Sequence, residues 1–150
     1  EQDPLPGTPS HRVLIYGARG DHLVTTFGAH LMARAVGAPL LRSDDVPDDV
    51  GVHEPIFGLP EVLPPRSSGS AYIEYDFGLP PNPRENLPAR AGCDPHERIR
   101  RMGSYIEQAD HFFRTGEIRW ECDGVCQCED PGGAPGEERD CRSSFDSVCR

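Results

Sequence analysis

"RVLIYGARGDHLV", residues 12–24, decides the fold. A short continuous apolar run, Arg12 to Tyr16, has the pattern of a strand covered on both faces, as in a parallel sheet. It ends in a turn holding Gly17 and Gly20, and the turn delivers a carboxylate, Asp21. An acid placed just past a buried strand on a glycine turn asks for a chemical reason.

Working outward, residues 1–11 are proline-rich and read as an entry loop. From Thr25 or Thr26 to Val36 the spacing predicts a helix. Phe27, Leu31 and Ala35 form its stripe, with Met32 and Val36 beside it. Gly37 and Pro39 stop it. Residues 43–69 are dominated by acids and breakers and read as mostly loop. Asp44, Asp45, Asp48 and Asp49 lack the regular spacing of a calcium loop and read as a solvated acidic turn.

"SAYIEYDF", residues 70–77, is the second clear strand. A long Pro- and Asn-rich loop follows, of the kind that often carries function. The spacing of Ile99, Met102, Ile106, Ala109 and Phe113 then predicts a helix from about Pro95 to Arg114. Asp94 would cap it, Glu97 would complete a capping box, and Gly116 would end it. Its Phe112 and Phe113 are expected to pack on the sheet, and Trp120 to cover a sheet edge. The order strand, helix, strand, helix implies parallel strands with packed helices: an α/β chain.

Composition narrows the function. The 150 residues carry 25 acidic against 15 basic side chains, a formal net charge of −10. Nucleic-acid and anionic-lipid binding are therefore disfavoured. No stretch is apolar and long enough to span a membrane. Of six cysteines, Cys93 precedes the last helix, and Cys122, Cys126, Cys128, Cys141 and Cys149 crowd the tail. "CDGVCQC" lacks the paired spacing of a zinc site, so disulfides and an extracytoplasmic setting are expected, with no metal and no cofactor. The pairing is not readable. The first residue is Glu1 rather than Met, and a processed or truncated chain is expected.

In a parallel sheet, ligands bind beyond the carboxyl ends of the strands. Two loops leave that edge here, one carrying Asp21 and the other carrying His96. A carboxylate bonded to one imidazole nitrogen sets the tautomer and stabilises the imidazolium that forms when the other nitrogen takes a proton. Placement at the mouth of a helix would favour the neutral ring. His22 could be the functional group in place of its neighbour Asp21, and His53 and His111 are competitors for His96. Asp21 can also be read as a mere cap, and Cys93 as a nucleophile or as a disulfide partner holding the His96 loop. "GARGD" lacks the full glycine pattern and the lysine of a phosphate loop.

With these residues in view, "RVLIYGARGDHLV", then a helix, then "SAYIEYDFG", then "DPHERIRR" leading a helix, resembles the end of an α/β-hydrolase. Residues 11–116 carry the likeness, and it extends more loosely to secreted bacterial hydrolases that end in a Cys-containing tail. The resemblance implies Asp21 as the triad acid and His96 as the histidine, in the family's order of nucleophile, acid, histidine. The family's G-x-S-x-G elbow is absent: Gly69-Ser70 opens a strand and Gly103-Ser104 falls inside the expected helix. The expectation is thus the last two strand–helix units of a partial α/β-hydrolase-like sheet over residues 1–121, with a Cys-rich tail over 122–150. It would be the C-terminal fragment of a secreted esterase- or lipase-type serine hydrolase acting on small-molecule or lipid esters, inactive by itself. The alternative is a non-catalytic extracellular binding module.

Overall fold

The structure, a computed structural model, describes residues 5–42, 59–77, 79, 95–122 and 126. Readings made for the acidic turn around Asp44–Asp49, His53, the loop before His96, Cys93, Asp94, Cys128, Cys141 and Cys149 lie outside the described residues. The chain is an α/β protein built on a small parallel sheet. The elements are β1 (Leu14–Ala18), α1 (Thr26–Val36), β2 (Leu40–Leu41), β3 (Glu61–Val62), β4 (Ala71–Tyr75), a 3₁₀ turn (Ile99–Arg101) and α2 (Gly103–Thr115). The strand order is β1-β4-β2-β3, and every pair runs parallel.

The two strands expected from sequence are direct neighbours, with Leu14 opposite Ala71 and Ala18 opposite Tyr75. Period-2 alternation then sorts their side chains. Ala18, Ala71, Ile73 and Tyr75 face a larger core with Ile99, Met102 and Ile118, and Leu14 and Tyr16 pack against it. Ile15 and Tyr72 face a smaller core with Ala29, Ala33, Ala38 and Leu59. β1 starts two residues later than the apolar run suggested, because Arg12 leaves the ladder to bond the carbonyls of Ser67 and Gly116. β2 and β3 went unforeseen. Two residues each are too short for a periodic signal.

α1 has the expected bounds. Thr25 Oγ1 accepts from Gly28 N at 3.2 Å, and Gly37 closes the helix in the left-handed region, at φ 70°. Its orientation corrects the sequence reading. Ala29, His30 and Ala33 are buried, whereas Phe27, Leu31, Met32 and Ala35 are exposed. The helix is apolar nearly all round, so bulk alone marks the wrong stripe. Small residues let it approach β1, and a bond from His30 to β4 turns that side chain inward.

The second helix also differs. After a turn at 96–98 comes the 3₁₀ turn, then Met102 in extended conformation (φ −78°, ψ 137°), and only then α2. An apolar pair three apart, Ile99 and Met102, fits three residues per turn as well as 3.6. Extending Met102 buries its side chain and lets α2 begin afresh at Gly103. Gly103-Ser104 is therefore the first turn of a helix rather than its interior. Phe112 packs against the larger core as expected, but Phe113 is 84 % exposed. Gly116 ends the helix, at φ 72°.

The tail reading changes at its first two cysteines. Cys122 and Cys126 form a disulfide. Cys126 is buried in the larger core, and its carbonyl accepts from Asp76 N at 2.8 Å. The start of the presumed appendage is part of the fold, because it caps the end of β4. Among the described residues no helix is long and apolar enough to cross a membrane.

Candidate functional site

The site is built at the carboxyl ends of β1 and β4. Past Ala18 the chain reverses through Gly20, whose φ of 77° suits glycine, and Asp21 N donates to Ala18 O at 3.2 Å. The turn points the Asp21 side chain inward, where its two oxygens take different duties. Oδ1 accepts from Leu23 N and Val24 N, both at 2.8 Å. Oδ2 lies 2.8 Å from His96 Nδ1. The sequence-expected acid and histidine thus meet across 75 residues of chain.

This division of labour has chemical consequences. Two backbone donors fasten the carboxylate, so its second oxygen has a fixed direction. Bonded to that oxygen, His96 carries its proton on Nδ1, and the neutral ring has its lone pair on Nε2. The Asp21 side chain is 6 % exposed and that of His96 24 %. The acid is shut in while the ring reaches the surface. One expectation falls: His96 sits in a turn and α2 opens only at Gly103, two helical turns further along the chain, so no α-helix dipole acts on it.

At the same rim Arg19 N donates to Tyr75 O at 2.9 Å, and its guanidinium pairs with Asp76 at 3.1 Å, tying the ends of β1 and β4 together. Of the competing histidines, His111 bonds Glu117 at 2.9 Å at the far end of α2. The bonds from His111 and Arg119 hold the Glu117 carboxyl below its usual range. His22 is half-buried beside Asp21 and is not the ring that bonds it. Ser104 Oγ is bonded to the Tyr75 hydroxyl at 2.7 Å inside the larger core. Among the described residues no three or more His, Cys, Asp or Glu side chains are grouped to hold a metal ion.

A second His–carboxylate pair escaped the sequence reading. His30 Nε2 lies 2.8 Å from Glu74 Oε2, and the Tyr72 hydroxyl donates to the same oxygen at 2.7 Å. Tyr72 and His30 also meet edge to face. Burial, then the charge of Glu74 beside it, holds the Tyr72 hydroxyl well above its usual range, so it remains a donor. Gly17 makes room for this ring: a Cβ there would collide with the Tyr72 hydroxyl. The missed signal was Glu74 itself. A charged residue inside a strand covered on both faces requires a buried partner.

No family model, no curated protein and no solved structure matches this chain. The functional reading therefore rests on the geometry of the rim.

Proposed function

We propose that Asp21 and His96 are the acid and the histidine of a serine-hydrolase triad for carboxylic esters, the serine coming from outside these 150 residues. One observation carries the reading: the Asp21 carboxylate is fastened through Oδ1 and bonded through Oδ2 to His96 Nδ1, behind a partly exposed ring. The chain order, acid then histidine, and the placement beyond adjacent parallel strands agree with the α/β-hydrolase likeness.

His96 Nε2 takes the serine proton as Oγ attacks the ester carbonyl. Asp21 stays ionised and stabilises the imidazolium. The ring then returns the proton to the departing alkoxide. Water enters by the same two proton transfers in reverse roles and frees the acid. The sequence contains no G-x-S-x-G, so the 150 residues alone are inert toward esters. The Cys122–Cys126 disulfide is compatible with an extracytoplasmic setting.

The test begins with the reading frame upstream of Glu1, which should encode G-x-S-x-G between a strand and a helix. The complete protein should label with a fluorophosphonate and hydrolyse p-nitrophenyl esters. An upstream frame without that motif, or a protein that never labels, sinks the hydrolase reading. Such a result favours a binding module with the same rim, a second reading supported by the absence of the elbow from this sequence.

A further inference from the structure

Successive residues of β4 turn their backbone groups to opposite neighbours, as a strand paired on both sides must. Ala71 N donates to Val13 O and Tyr75 O accepts from Arg19 N, so odd-numbered residues face β1. Tyr72 N donates to Pro39 O, so even-numbered residues face β2. Asp76, just past β4, turns that way too, but β2 ends at Leu41, short of it. The Asp76 amide bonds Cys126 O instead, at 2.8 Å. Cys126 thus stands where β2 would have continued.

A chain of contacts brings that carbonyl there. Ile118 is fixed by a bridge to Arg66, with both backbone bonds at 2.8 Å. Four residues on, Cys122 packs against the larger core, its Sγ 3.9 Å from the Tyr75 hydroxyl. The disulfide then fastens Cys126 to Cys122, and Cys126 is buried. The segment therefore grips the end of β4 twice, at the Tyr75 side chain and at the Asp76 backbone.

From Asp76 the contacts continue to the rim. Its Oδ2 accepts from Arg19 Nη1 at 3.1 Å. Arg19 Nε is shut from solvent and has no partner among the described residues, so the bond to Asp76 directs the guanidinium. Arg19 N donates to Tyr75 O at 2.9 Å. Both ends of Arg19 are thus held by β4 and its extension, and the turn that delivers Asp21 begins at Arg19.

We propose that Cys126 is a positioning residue for the Asp21–His96 pair, acting through Asp76 and Arg19, and that the Cys122–Cys126 disulfide must be closed for the pair to be aligned. The bearing of this on catalysis rests on the hydrolase reading. A dithiol reductant opens the device. It gives up two electrons and two protons, the S–S bond becomes two thiols, and the reductant closes its own disulfide. Opening so short a ring releases a constraint of about thirtyfold in the ratio of closed to open segment.

Long-range ¹H–¹⁵N spectra of the 150-residue chain test this, at a pH where the rings are neutral. In the oxidised chain His96 should hold its proton on Nδ1. With dithiothreitol, His96 should average between tautomers and the Asp76 amide should exchange about tenfold faster or more. His30, in the other core, should keep its Nε2 proton. The double change Cys122→Ala with Cys126→Ala, which opens this bridge alone, should do the same. Should that variant misfold, Asp76→Ala leaves the disulfide in place and must still free the His96 tautomer. Arg19→Ala should free it too, and Arg19→Lys, which restores a charge for Asp76, should return it. A His96 ring that keeps its Nδ1 proton in the reduced chain and in Asp76→Ala overturns the proposal. So does loosening of His30 together with His96, which would make the disulfide a general brace. These spectra are read without ester, so a complete protein that never labels with a fluorophosphonate sinks the hydrolase reading and leaves the positioning standing.

Discussion

Two His–carboxylate pairs lie near one another, each at 2.8 Å, and they differ in almost everything except that distance. In the Glu74–His30 pair the histidine is 2 % exposed, the carboxylate 10 %, and a tyrosine hydroxyl shares the same oxygen. In the Asp21–His96 pair the acid is closed off by two backbone amides but the ring is about a quarter exposed. Proximity alone therefore does not make a site. The first pair locks α1 to β4. The second has a buried end that fixes geometry and an exposed end that can meet another group. That asymmetry is what proton transfer from an incoming nucleophile to the ring needs.

The comparison predicts opposite phenotypes. In the complete protein, Asp21→Asn should lower ester turnover by about 10⁴-fold, because the amide presents a donor to His96 and imposes the wrong tautomer. Its effect on the urea midpoint should be small, since the Asn oxygen still accepts from Leu23 N and Val24 N. A stopped-flow ester assay beside an equilibrium melt checks both halves. Comparable activity in the variant would demote Asp21 to a turn-former.

Glu74→Ala should do the reverse. It strands His30 Nε2 and the Tyr72 hydroxyl in the smaller core and should cost about 3 kcal/mol in urea unfolding. Gly17→Ala should follow at about 1–3 kcal/mol, since a Cβ would overlap the Tyr72 hydroxyl and force the ring from Glu74. Little loss in either variant would mean that the buried pair is not a lock and that the contrast between the two regions is overstated.

Much of the rim was legible in the sequence. Arg12 to Tyr16 read as a doubly covered strand, two residues early of β1, Gly20 marked the turn, and the order of Asp21 and His96 put both on the carboxyl edge. What was illegible shares a cause. Periodicity ranks residues by hydrophobicity, whereas here a polar bond or a small surface decided orientation. His30 faces inward because Glu74 waits there, and Phe27 and Leu31 face outward because Ala29 and Ala33 allow the closer approach. Met102 ends one turn and precedes another because a spacing of three is common to both helix types. β2 and β3 exist only by pairing with strands remote in sequence, which no local window registers.

The smallest effect is the sharpest discriminator, because it moves neither fold nor rate in the wild-type chain. The two histidines use different ring nitrogens: His96 bonds through Nδ1 and His30 through Nε2. When neutral, each should keep its proton on the nitrogen facing its carboxylate. At a pH where both rings are neutral, long-range ¹H–¹⁵N spectra should therefore show one Nδ1–H and one Nε2–H tautomer in the same protein. Asp21→Asn should convert only His96, since an amide N–H facing Nδ1 forces the proton to Nε2. His30 should stay as it was, for Glu74 is untouched. Were His96 to average between tautomers in the wild-type chain, Asp21 would not be holding it, and the exposed pair would lose the one property that separates it from an ordinary surface contact.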